Sequence, residues 1–198
     1  MAQDTAKLHA MVDRIDKLPT LPVVVTQILS LVESPETSAV DVNRVISTDQ
    51  ALAAKVLKLV NSPFYGFSRQ ISTVTQAVVI LGFRTIKSLA LSATVFEIFG
   101  GRGTQRFDRQ EFWKHSIGTG VAAQIIAKKM RYPLIEEAFI AGIVHDLGKV
   151  VLDQFLPDDF ARVLAWRDDK GSSLRAAEKA VLGVDHAAIG GWLAERWK

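Results

Sequence analysis

Apolar residues recur at steps of three and four along nearly the whole chain, and no run of alternating β-branched residues bounded by hairpin turns interrupts them. Leu52, Val56, Leu59 and Val60 form one such stripe, opened by Asp49 as an N-cap. Phe83, Ile86, Leu89, Ala90, Ala93 and Phe96 form another. Earlier, Leu18-Pro19-Thr20-Leu21-Pro22 leads into a helix predicted over 21–32. Ser34-Pro35 stops it, because proline suits a helix start and blocks its interior. A second helix is predicted over 38–47. Asn61 to Gln70 mixes turn formers with Phe64, Tyr65 and Phe67, which predicts an irregular loop whose aromatics pack inward. Helices resume at Thr73, with Leu81-Gly82-Phe83 as a corner. Gly100-Gly101-Arg102-Gly103 reads as a flexible link, and Asp108-Arg109-Gln110-Glu111 has the spacing of a capping box. Pro133 is placed in the first turn of the next helix, Gly171 and Gly183 at helix ends, and Asp185 at the N-cap of the last helix. The pattern predicts an all-α fold.

One segment breaks the usual alternation. Glu137 to Val151 reads as a single helix that is apolar almost all round, yet it carries His145 and Asp146 side by side. Titratable groups enter a core only when paired, hydrogen-bonded or bound to metal, so this pair needs a partner from another element. His115 is the candidate. It lies on a helix rich in small residues (Ser116, Gly118, Gly120, Ala122, Ala123) that suits close packing. A histidine followed some thirty residues later by His-Asp, both on helices, resembles the HD superfamily of metal-dependent phosphohydrolases. The run His145-Asp146-Leu147-Gly148-Lys149 resembles the form found in its bacterial signalling members.

Composition narrows the remaining classes. The 198 residues are 48% hydrophobic, enough for one sizeable core. With no cysteine, disulfides, thiolate metal sites and cysteine nucleophiles are excluded. No apolar run reaches the ~20 residues of a bilayer span, and Met1-Ala2-Gln3-Asp4-Thr5 lacks the charge and apolar pattern of a signal peptide, so a cytoplasmic protein with no membrane partner is expected. Net charge is +3, but the basic and acidic residues are interspersed, and only Lys128-Lys129-Met130-Arg131 clusters, at a helix end where the dipole favours it. Nucleic acid is therefore not the expected partner. The glycines at 100–103 lack the Gly-Lys-Ser/Thr ending of a phosphate-binding loop. His9 is expected at the surface. Trp113, Trp166, Trp192 and Trp197 are expected as core or lobe-interface anchors.

A more specific resemblance extends over about residues 15 to 197. Leu18-Pro19-Thr20-Leu21-Pro22, Asp49 before an alanine-leucine helix, Asn61-Ser62-Pro63-Phe64-Tyr65-Gly66 and Ala77-Val78-Val79-Ile80-Leu81-Gly82 resemble the N-terminal lobe of the HDOD family, HD-related output domains of bacterial signalling proteins. The likeness continues through His115, His145 to Lys149, and Gly183-Val184-Asp185-His186 to Leu193. It departs at Thr48-Asp49-Gln50, where the family has proline after the aspartate.

This resemblance implies a two-lobed helical bundle: an N-terminal lobe over 1–100 and an HD-like lobe over 104–198, the latter expected to be truncated, because the family continues past the Trp192 region with more helix. HD hydrolases hold a divalent metal with the first histidine, the His-Asp pair and a final aspartate. Here that implies His115, His145 and Asp146 as candidate ligands for iron, manganese or zinc. No aspartate in the last helix stands at the final position. His186 and Lys149 are carried as candidate binding residues; Lys149 would contact a phosphate in a catalytic site and be a solvated lysine otherwise. The function implied is a regulatory or interaction module of bacterial signal transduction, with a protein of the pathway or a small nucleotide as partner and no catalysis of its own. The alternative is a metal-dependent phosphohydrolase or cyclic-dinucleotide phosphodiesterase. Without metal, His115, His145 and Asp146 would form a hydrogen-bonded cluster that fixes two helices.

Overall fold

In the computed structural model, residues 19–34, 36–101 and 107–197 are described, and every regular element among them is an α-helix. Expectations for His9, Leu18, Pro35 and the Arg102-Gly103 part of the link lie outside the described residues.

Residues 21–100 hold α1 (Val23–Glu33), α2 (Ala39–Ile46), α3 (Gln50–Val60), α4 (Val74–Leu81) and α5 (Phe83–Phe99). Side chains cap the starts of α2, α3 and α4. Ser38 and Asp41 complete a reciprocal capping box at α2, Asp49 Oδ1 accepts from Leu52 N–H at 2.9 Å, and Thr73 Oγ1 accepts from Gln76 N–H at 3.1 Å. Gly82, at φ +83°, makes the corner between α4 and α5 that only glycine adopts without strain. The buried faces supply Val25, Ile28, Val42, Ile46, Leu52, Val56, Val60 and Ile86 to a common core. Each such side chain stabilises by roughly 1.5–3 kcal/mol relative to exposure.

The loop after α3 is closed by a polar device. The Asn61 side-chain amide donates to Leu57 O and Ile71 O at 2.9 and 2.8 Å, and its oxygen accepts from Ile71 N–H at 2.8 Å. With the loop ends held this way, the aromatics need not plug the core. Tyr65 and Phe67 stack, Phe64 packs edge-on to Tyr65, and Phe64 is 56% exposed, which corrects the expected inward packing at that residue.

The remaining helices are α6 (Arg109–Lys129), α7 (Ile135–Val144), α8 (Leu147–Phe155), α9 (Pro157–Lys170), α10 (Leu174–Leu182) and α11 (His186–Arg196). Residues 21–100 and 126–140 make one compact unit. The described parts of 1–20, 101–125 and 141–198 make the other. In the first unit, Arg84 Nη1 donates to Pro133 O at 3.2 Å. Pro133 itself precedes α7 by two residues rather than sitting in its first turn. Arg131, at φ +55°, turns the chain there, and a proline keeps the residue before it extended. In the second unit α8 packs on α11 and α9 on α10. Gly171 and Gly183 end α9 and α10 in the left-handed conformation, and Asp185 caps α11 through Ala188 N–H at 3.0 Å. Trp113 is buried, whereas Trp166, Trp192 and Trp197 are half-buried, and Trp197 Nε1 donates to Pro19 O at 3.1 Å. No helix among the described residues is long and apolar enough to cross a membrane.

Candidate metal and anion-relay site

His145 and Asp146 do not continue a helix. α7 ends at Val144 and α8 begins at Leu147, so the pair occupies a two-residue joint, correcting the expected single helix over 137–151. Successive side chains on a straight helix diverge by about 100°. At the joint, Asp146 takes φ −109°, ψ 11°, and both side chains turn toward one point. His145 Nδ1 pairs with Gly142 O at 2.8 Å, which occupies a carbonyl of the last turn of α7 and leaves Nε2 free to face Asp146.

Two helices, α6 and α11, close in on this joint. α6 is started by Asp108, whose Oδ1 accepts from the N–H groups of Gln110 and Glu111 at 2.8 and 3.0 Å. Arg109 in its first turn forms a buried ion pair with Asp153 of α8 at 2.7 Å. Farther along α6 the backbone of Gly120 touches that of Gly142 in α7 so closely that a Cβ on Gly142 would lie 2.4 Å from Gly120 Cα. The small residues of α6 therefore permit the close approach expected of them. On the other side, a Cβ on Gly148 would lie 2.0 Å from His186 O, so α8 rests on α11 backbone to backbone.

These contacts bring His115 to the pair. His115 Nε2 is 3.8 Å and His145 Nε2 3.3 Å from Oδ2 of Asp146, and one donor atom from each of the three lies within 4.8 Å of the others. The two imidazole rings are 5.3 Å apart by centroid. Lys149, one turn along α8, forms an ion pair with the same Oδ2. His186 takes the other oxygen: its Nε2 is 3.3 Å from Oδ1, and its Nδ1 is 2.6 Å from Glu178 Oε2, which also accepts the His186 backbone N–H at 3.0 Å. The Glu178 side chain is wholly buried, while His115 is 60% exposed. The arrangement has an open imidazole rim and a closed ionic floor.

Burial works to raise the pKa of Asp146, but hydrogen bonds from His186 and Lys149, with the charges of Lys149 and His145, outweigh it and hold the carboxyl well below the usual carboxylate range. For His186, burial favours the neutral ring, but bonds to Asp146 and Glu178 outweigh that and push the pKa up to about 9. Its two nitrogens both face carboxylate oxygens, the geometry of an imidazolium donating twice. Asp185, beside it, is also held low: burial opposes, while Arg175 at 2.7 Å and the Ala188 N–H prevail.

Two imidazoles and a carboxylate on one locus are donors of the kind that first-row divalent metals and zinc accept. His115, His145 and Asp146 fit that role in chemistry and spacing. α11 adds no aspartate to the set, and Lys149 shares the oxygen a metal would use. Two participants escaped the sequence reading. Glu178 falls on the stripe Leu174, Ala177, Glu178, Val181, where a carboxylate in an apolar pattern signals a buried group in need of a cation. Asp153 carries the same signal within the apolar run of α8.

A solved HDOD domain protein of unknown function from Geobacter sulfurreducens superposes with TM-score 0.88 at 28% identity, covering 99% of this chain and 65% of that one. A Shewanella amazonensis protein provisionally called a phosphohydrolase gives 0.80 at 31% identity, over 98% and 67%. A Marinobacter aquaeolei protein provisionally called a signal transduction protein gives 0.76 at 26% identity, over 99% and 47%. The chain also spans 37% of an uncharacterized Treponema pallidum protein to which it is 32% identical over 197 residues. The model of the HDOD domain family matches residues 18–198, and with the helical fold and the His-Asp joint in place, the chain belongs to the HDOD domain family.

Proposed function

We propose that this chain is a regulatory or interaction module of bacterial signal transduction, acting in the cytoplasm without catalysis of its own. The observation that carries this reading is the donor set. HD hydrolases, by the resemblance drawn from the sequence, need a final aspartate beyond the His-Asp pair. α11 presents His186 instead, tied between Asp146 Oδ1 and Glu178. The name of the Marinobacter aquaeolei relative supports a signalling role. The exposed rim of His115 and His145 is then a surface for recognition, addressed by a protein of the pathway or a small nucleotide, and the buried ionic floor keeps that rim in register. The test pairs affinity capture and nucleotide-binding screens with hydrolysis assays in added manganese, iron or zinc. Saturable binding without turnover is expected. Metal-dependent turnover abolished by His145→Ala would overturn the reading.

A second reading, a metal-dependent phosphohydrolase, is favoured by one specific observation: three suitable donors lie within 4.8 Å of one another beside solvent. The name of the Shewanella amazonensis relative points the same way. In that case His115, His145 and Asp146 would hold the ion, which when bound supplies an activated water for attack on phosphorus. Arg109 and Asp153 would keep α6 and α8 aligned, and Glu178 would orient His186. It predicts phosphoester hydrolysis by the chelator-treated protein after metal is restored, lost in Asp146→Ala.

A further inference from the structure

We infer that Lys149 is a resident cation of the Asp146 site, so that a divalent metal enters His115, His145 and Asp146 only by displacing its ammonium from Oδ2. The inference rests on taking those three residues as the donors. It goes beyond either functional reading, because it names the residue that sets whether the site is filled.

The carboxylate of Asp146 is divided between its neighbours. Oδ1 faces His186, which Glu178 holds from behind through both the ring and the backbone N–H. Oδ2 alone faces the two rim imidazoles, and Lys149 sits on that same oxygen. A metal bound by the two Nε2 atoms has to share Oδ2 with a positive charge at hydrogen-bonding range. The side chain of Lys149 is 21% exposed, so its repulsion toward an incoming ion is only partly screened. The i, i+3 spacing tethers the Lys149 stem in the first turn of α8 beside Asp146, its N-cap. Gly148, between them, is pinned against α11 by backbone contact. The ammonium thus occupies by covalent tether the place that a metal would fill by diffusion, and an incoming ion competes with it for Oδ2.

The experiment is isothermal titration of chelator-treated protein with Mn²⁺, and separately with Zn²⁺. Lys149→Met should bind at least about tenfold more tightly than the unsubstituted chain. Lys149→Arg, which keeps the charge, should stay within about twofold of it. Lys149→Gln serves in place of the Met variant if circular dichroism shows the latter unfolded, with the same tenfold gain expected. Equal or weaker binding by the neutral variant, no binding by any variant, or a comparable gain in Lys149→Arg would each overturn the inference. The double variant Lys149→Met/His145→Ala separates this from the donor assignment. Loss of the gain supports both, while an undiminished gain places the ion elsewhere and overturns the donor set itself.

Discussion

Residues 21–100 and residues 107–197 bury similar aliphatic cores but different polar groups. In the first stretch the buried polar side chains are the neutral hydroxyls of Thr85, Ser88 and Thr94, and Thr85 donates to Leu81 O across the Gly82 corner between α4 and α5. In the second they include Arg109, Asp146, Asp153, Asp159, Glu178 and Asp185. Each of those five acids faces a cation: Lys149 for Asp146, Arg109 for Asp153, Arg162 for Asp159, His186 for Glu178 and Arg175 for Asp185. A buried pair rarely stabilises more than an apolar one of the same shape, so such a concentration reflects a need for position rather than for stability. The first stretch settles its geometry with caps, a glycine corner and apolar packing. The second uses ion pairs to set the helices α6, α10 and α11 that carry His115, Glu178 and His186, and α8, which Asp146 directly precedes.

The contrast breaks most severely at Arg109 and Asp153. Asp153→Ala leaves a guanidinium 7% exposed without its carboxylate partner and should cost about 3–5 kcal/mol in chemical denaturation. The double variant Arg109→Met/Asp153→Leu should recover most of that loss. A double variant as unstable as Asp153→Ala would mean that the pair matters for more than charge balance.

The next largest effect is a pH dependence confined to the second stretch. The His186 pKa is raised to about 9 from an unfolded value near 6.5, so its contribution is fully present below about pH 6.5 and is lost as pH rises through 9, a change on the order of 3 kcal/mol. Asp146 works in the opposite direction. Its folded pKa is depressed, so its contribution is present above about pH 4 and lost as pH falls below that. Melting temperature should therefore decline on the alkaline side, and His186→Gln should flatten that limb while leaving an acid limb. An alkaline decline unchanged in His186→Gln would refute the double-donor imidazolium.

What could be read from the sequence follows the same division. Caps at Asp49, Asp108 and Asp185 and stops at Gly82, Gly171 and Gly183 rest on local rules, and the structure places each as expected. The gathering of His115, His145 and Asp146 was accessible because the motif that resembles the HD superfamily encodes a non-local contact. The joint at 145–146 was not, since nothing in an apolar run reveals that its helix stops for two residues. Glu178 and Asp153 were hidden for a related reason: periodicity marks them as buried but says nothing about which distant cation answers them. Phe64 shows the converse. Aromatic residues suggested a plugged loop, while a single amide at Asn61 closes it.

That amide supplies the third test, in the stretch without buried charge. Asn61→Ala strands both the N–H and the C=O of Ile71, a residue 6% exposed, and should cost about 1–3 kcal/mol with faster amide exchange across 61–71. Asn61→Asp, which keeps one acceptor but loses both donors, should fall between. Exchange rates that do not change in the alanine variant would assign closure of the loop to Tyr65 and Phe67 instead.

The smallest effect is a gain, and it follows from the one place where the chain departs from the pattern it otherwise resembles. Gln50 is the first residue of α3, directly after the Asp49 cap, and it is exposed. A proline there removes an N–H that a helix leaves unpaired anyway, and its fixed φ suits a first helical residue. The residue before a proline must be extended, and Asp49 already is, at φ −119°, ψ 98°. Gln50→Pro therefore restricts the unfolded chain without disturbing the folded one and should stabilise by about 0.4–1 kcal/mol. Asp49→Ala at the neighbouring position should cost about 1 kcal/mol, because Leu52 N–H loses its acceptor. Because α3 carries no buried charge, both shifts should be independent of pH between 6 and 9, while the His186 contribution changes across that range. A Gln50→Pro gain that varied with pH in step with the alkaline limb would mean that the stability of the two stretches is coupled, and that the first is not set by local chemistry alone.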